Sequence, residues 1–157
     1  MAENFQFTLK GVEELNKKLA NISKDLKLKG GRFALRKAAN VVADKVKQNA
    51  ATLDDPETAE SIVKNVVVRW APKHFRATGD LKFRVGIMGG AGGNKTSEQL
   101  SGLPGLDTRH WRLLEFGTEK MPARPFMRRA LPEAAEKAAD TFIAQYQKAI
   151  DRALKKL

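Results

Sequence analysis

The chain has no cysteine among its 157 residues, and only two histidines and one tyrosine. Without cysteine there is no disulfide framework, no thiolate zinc site and no thiol nucleophile. His74 and His110 lie in neither an HxxxH nor an HExxH pattern, so a metal centre would have to recruit scattered carboxylates. Ser23, Ser61, Ser97 and Ser101 have no GxSxG context. No uncharged apolar run approaches the ~20 residues that span a bilayer. The opening residues, MAENFQFTLKG, show neither the basic nor the apolar region of a secretory leader. The expectation is a protein made and held in the cytosol, with no membrane partner and no cofactor. Glycine and proline, at 12 and 6, are too sparse for a low-complexity chain.

Acidic residues are also in short supply, with 18 Asp and Glu against 29 Lys and Arg, a net charge of +11. Such a balance favours anionic partners. The excess is spread out. Residues 1–49 carry eleven basic against five acidic side chains, and residues 69–88 carry Arg69, Lys73, Arg76, Lys82 and Arg84 against Asp80 alone. Hydrophobic residues make up 42% and charged residues 30%, as in a soluble globular chain. At this length one domain over residues 1–157 is expected, able to bury about two-thirds of its unfolded surface.

Phe5, Phe7 and Leu9 alternate with polar residues and predict a short strand. Val12, Leu15, Leu19, Ile22 and Leu26 then form one stripe of an amphipathic helix that Gly30-Gly31 should break. A second helix is expected from about Phe33 to Ala51, with Leu35, Ala38, Ala39, Val42, Val46 and Ala50 on its apolar face. Asp55 and Pro56 suit the start of a further helical turn. Two strands are expected at about 63–70 and 81–88, joined by a hairpin loop over 71–80. Residues 89–106 hold six glycines and no apolar period, which predicts a long mobile loop. Asp107 to Phe116 reads as a short helix, capped by Asp107 or Thr108 and stopped by Gly117. The C-terminal stretch carries a stripe of Ala135, Ala138, Ala139, Phe142, Tyr146, Ala149 and Ala153, with the helix opening at Pro125 or at Pro132. The sum is an α+β fold, a small antiparallel sheet packed by two N-terminal helices and a long C-terminal helix.

Two segments invite a chemical reading. GIMGGAGGNKTS follows a strand as a phosphate-binding loop would, but Asn94 separates Gly93 from Lys95 where the Walker pattern needs Gly directly before Lys. A plain loop is the better reading. The 69–88 hairpin interleaves Trp70, Phe75 and Phe83 with Arg69, Lys73, Arg76, Lys82 and Arg84, and nucleic-acid contact there would need exposed aromatics. Phe83 shares a strand face with Leu81 and Val85 and reads as core, while Trp70 and Phe75 stay open.

The run RLLEFGTEKMPARPFMRRAL, residues 112–131, is the most informative. Glu115 ends an apolar helical face and must stay wet or take a cation, with Arg124, Arg128 and Arg129 nearby in sequence. The two prolines of Met121-Pro122-Ala123-Arg124-Pro125-Phe126 stiffen a strap that turns Phe126 toward the core. The strap reads either as a staple between helices or as a contact between subunits.

Glu115, Phe116, Gly117 and Thr118, with Met121, Pro122, Arg124, Pro125 and Phe126 and the Ala-rich helix that follows, resemble the tail-completion proteins of long-tailed bacteriophages and prophages, also called neck or head-to-tail joining proteins. The likeness extends to Gly11-Val12-x-x-Leu15-x-x-x-Leu19 and to Leu35-Arg36-Lys37-Ala38-Ala39. The family's Thr-Gly-x-Leu signature finds its nearest match late, at Thr78-Gly79-Asp80-Leu81. The resemblance implies a non-enzymatic virion protein that leaves the host cytoplasm for the neck. There it would form a ring with copies of itself, a hexamer, between the head connector or stopper protein and the tail-tube protein. Heterologous contacts close such a ring. DNA passing through the channel would be touched weakly at most. Two other classes remain as alternatives: a small basic nucleic-acid-binding protein using the 69–88 hairpin, and a small nuclease that works without histidine.

Overall fold

The computed structural model describes residues 12–89 and 95–156. The expected strand at Phe5, Phe7 and Leu9 and the glycines at 90–93 lie outside the described residues.

A helical path runs without interruption from Val12 to Ala51. It comprises α1 (Val12–Asp25), a π-helical turn (Leu26–Gly31) and α2 (Arg32–Ala51). The expected break at Gly30-Gly31 is absent, and Gly31 itself is helical at φ −63° and ψ −44°. The glycines serve close approach instead. A Cβ on Gly30 would lie 2.9 Å from Ala149 Cβ, so the C-terminal helix nests against this turn.

After α2, Asp55 makes only a tight turn, its Oδ1 accepting from Glu57 N–H at 2.9 Å. Asp54 does more. Its carboxylate accepts from Ser61 Oγ (2.8 Å), Ile62 N–H (2.9 Å) and Val63 N–H (3.3 Å), and Ser61 caps α3 (Ile62–Asn65). These caps hold the first residues of the expected strand in a helical turn despite their β-branched side chains. The strand β1 therefore begins at Val66 and ends at Trp70. The 71–80 connection is also no simple loop. It folds as α4 (Pro72–Thr78), with proline in the first turn and Gly79 closing it at φ 75°. Next comes β2 (Phe83–Ile87), antiparallel to β1, with Val66 opposite Ile87 and Trp70 opposite Phe83.

The described part of the glycine-rich stretch contains α5 (Ser97–Ser101), opened by a capping box between Thr96 and Gln99. Leu100 on α5 is wholly buried. Neither Asp107 nor Thr108 caps the next helix, α6 (Trp111–Phe116). Asp107 engages Arg109, and Thr108 is buried beneath Asn65. The last helix, α7 (Met127–Leu154), opens at neither expected proline and carries Pro132 inside it.

The long helices α2 and α7 pack along each other. Ala34, Ala38 and Ala43 of α2 and Ala130 and Ala134 of α7 are buried, and small side chains let the axes approach. One sheet face lies on α2. The core gathers Val46, Ala50, Ile62, Val66, Ile87 and Phe126 around this junction. The α+β architecture expected from the sequence is therefore observed. Leu35, Ala39 and Val42, expected in the α2 core stripe, instead line an open apolar cleft of about 430 Å³ shared with Phe83, Val85 and Leu131.

Candidate interaction surface

The 114–126 segment is a latch. Glu115 projects from the last turn of α6 into the interior and is 1% exposed. It meets the start of α7, whose first N–H groups have no partner within the helix. Glu115 Oε2 accepts from the N–H of Phe126 (2.8 Å) and of Met127 (2.9 Å), and Oε1 accepts from Arg128 N–H (2.9 Å). The Arg128 guanidinium adds Nε to Oε1 at 3.0 Å and a terminal nitrogen to the Glu115 carbonyl at 2.7 Å. Of the three arginines near in sequence, Arg128 is the one engaged. Burial pushes the Glu115 carboxyl up, but the three backbone donors and Arg128 outweigh it and hold the group below its ordinary value.

The strap between Glu115 and Phe126 is fixed at each step. Gly117 leaves α6 at φ 75° and ψ 177°, an extended conformation open to glycine and not the left-handed helical stop expected. Thr118 and Met121 pair as an isolated antiparallel bridge, and Thr118 Oγ1 accepts from Met121 N–H at 3.1 Å. Arg124 N–H donates to Leu114 O at 2.7 Å, while the exposed Arg124 side chain leaves Glu115 to Arg128. Pro122 is exposed and Pro125 half-buried. Phe126 is 1% exposed and meets Trp111 edge-on, ring centroids 6.5 Å apart. Asn49 Nδ2 on α2 donates to Phe126 O (3.2 Å) and to Glu133 Oε2 (3.0 Å), which ties the latch to the helix pair.

The outward half differs in character. Phe116 is 62% exposed and Leu113 52% exposed, one helical step apart on α6. Arg128 lies over the Phe116 ring at 5.0 Å.

The basic hairpin residues fall in two places. Arg69, Lys82 and Arg84 lie on the sheet face turned away from α2, and Lys73 and Arg76 on α4, all exposed. The aromatics lie on the opposite side. Trp70 packs against Phe75 (5.5 Å) and Phe83 (5.2 Å) with Arg32 over its ring at 4.4 Å. Packed on one another, these rings are not a platform for bases.

Sequence reasoning missed a third cluster. Asn65 is wholly buried. Its Nδ2 donates to Leu106 O (3.0 Å) and Thr108 Oγ1 (2.8 Å), and its Oδ1 accepts from Gly105 N–H (2.9 Å). The one available signal was a lone asparagine heading a valine run. His110 lies 3.5 Å from Glu60. Among the described residues no group of three or more His, Asp and Glu is placed to hold a metal ion, and no helix is long and apolar enough to cross a membrane.

Residues 13–117, more than half of the chain, match a family model described as "Bacteriophage HK97-gp10, putative tail-component". No curated protein and no solved structure matches. The match takes in the long N-terminal helical path, the sheet and the inward carboxylate of the latch, and the chain belongs to this HK97-gp10-like family of bacteriophage tail components.

Proposed function

We propose that the protein is a structural subunit of the phage neck. Copies close into a ring between the head connector and the tail tube, and no chemistry is performed. Membership of a phage tail-component family supports a structural role in the virion. The observation that carries the interface is the pairing of a locked interior with an apolar exterior. Glu115 fixes α6 to α7, and the same short helix presents Leu113 and Phe116 to solvent. An apolar pair held rigid loses little entropy on docking, which suits contact with another protein chain.

Complementation tests this. A phage lacking the gene is supplied with the Leu113→Ser/Phe116→Ser double variant. Both side chains are more than half exposed, so thermal unfolding of the purified variant should match wild type. Electron micrographs of the lysate should show separate heads and tails and a large loss of infectious yield. Joined particles at normal yield from a normally folded variant would remove the α6 surface from the assembly.

A further inference from the structure

The sheet has one face on α2 and one that no described residue covers. Alternation sends Val66, Val68, Trp70, Phe83, Val85 and Ile87 toward α2, and leaves Val67, Arg69, Lys82, Arg84 and Gly86 outside. A Cβ placed on Gly86 would meet nothing within 4 Å. In the β1–β2 register Arg69 stands directly opposite Arg84. Like charges facing each other across a ladder destabilise it, so folding alone does not account for the pair. Asp80 is the sole acid in residues 69–88. Among the described residues none of Arg69, Lys73, Arg76, Lys82 and Arg84 makes an ion pair.

We propose that this outer sheet face, with Arg69, Lys82 and Arg84, forms a track for the phosphate backbone of duplex DNA. Charge complementarity selects the occupant. A duplex offers one negative charge per ~1.7 Å of axis, so a row of cations at any spacing finds phosphates. An acidic protein surface would need carboxylates placed to match. The chain as a whole carries +11, which favours a polyanion over a second copy. Because Trp70, Phe75 and Phe83 are packed on the other side, the contact reads backbone only, without base stacking or sequence preference. The inference is independent of the neck reading and stands or falls by its own test.

The test is fluorescence anisotropy of a labelled random-sequence duplex with the full-length protein, from low to physiological salt. If Arg69, Lys82 and Arg84 all engage, log affinity falls against log salt with a slope of about −2.7. Arg69→Gln/Arg84→Gln should reduce the slope by about 2 and weaken low-salt binding by about tenfold or more. It should unfold at or above the wild-type temperature, since it removes a like-charge pair. The control is Lys137→Gln/Lys148→Gln, the same loss of charge from exposed positions on α7. It should leave the slope near wild type. Equal effects from the two variants would reduce the binding to net charge and overturn the proposal. So would tighter binding to polyglutamate than to duplex, which would indicate an acidic protein as the occupant. Tighter binding to single-stranded DNA with quenching of tryptophan fluorescence would restore base stacking and equally refute it.

Discussion

Replacing Glu115 with glutamine perturbs the latch with almost no change of shape. The carboxylate presents two oxygens to donors only: three backbone N–H groups of the α7 start and the Arg128 fork. Glutamine keeps one oxygen and turns an NH2 group toward donors. If the oxygen stays with Arg128, the N–H groups of Phe126 and Met127 lose their acceptor, and Phe126 lies in the core. Each buried donor left unpaired costs about 1–3 kcal/mol, so a loss of about 3 kcal/mol is expected. At this chain length that lowers the melting temperature by about 6–12 °C. Thermal unfolding followed by circular dichroism at neutral pH reads it. Arg128→Gln is the internal comparison: its side chain is 56% exposed, so it should cost about 1 kcal/mol or less. The pH dependence adds a second check. The folded-state value of Glu115 lies below the unfolded one, because the N–H donors and Arg128 outweigh burial. Its contribution is therefore complete above the ordinary carboxylate value of ~4.3 and drains as the pH falls through the folded-state value. The gap between wild type and Glu115→Gln should stay constant down to about pH 5 and narrow below about pH 4. A variant that melts with wild type, or a gap that widens in acid, would refute the latch.

Phe126→Ala should destabilise the fold by about 3–5 kcal/mol in urea unfolding with little change in slope, and a loss below about 1 kcal/mol would show the pocket to be loosely filled. Asn65→Ala strands Gly105 N–H, Leu106 O and Thr108 at once, and a cost of about 2–4 kcal/mol is expected in the same assay. Near-neutral behaviour would mean that water replaces the amide. Leu100→Ala should cost about 2–5 kcal/mol, because this residue anchors the end of the glycine-rich stretch; an unchanged midpoint would make α5 a bystander.

The sequence was most legible where a period repeats over several turns. The alternation through Phe83, Val85 and Ile87 survives, and so does the part of the α2 stripe formed by Ala38, Val46 and Ala50, because each is set by burial on one face. On α7 the buried alanines are Ala130 and Ala134, while Ala135 and Ala139 of the expected stripe are exposed. Local punctuation misled in both directions. Gly30-Gly31 resembles a stop, yet the turn stays helical because α7 packs where a side chain would be. Residues 62–65 read as strand, yet Ser61 directly before them and Asp54 eight residues before Ile62 cap their N–H groups from outside the run. Ala71-Pro72 and Thr78-Gly79 suggest the ends of a hairpin loop, yet they are a good helix start and stop seven residues apart. In the recognised run, stiffness and the inward turn of Phe126 were readable. The choice of Arg128 over Arg124 and Arg129 was not, because it depends on where α7 begins.

The family match ends at Gly117, but the latch does not. Glu115 lies inside the matched segment, while every group that neutralises its carboxylate comes from residues 126–128. Phe126, Ala130 and Ala134, which fill the α2 face, also lie beyond it. The matched segment alone would thus lose every partner of the Glu115 carboxylate and leave the α2 face open to water. The strap and α7 are therefore integral to the interior of the matched fold. The same reasoning separates two roles within one short run. Glu115 and Phe126 act inward on stability, whereas Leu113 and Phe116 act outward on contacts. Loss of virion assembly in a Glu115 variant would follow from a misplaced α6, so Leu113 and Phe116 are the positions whose substitution isolates docking from folding.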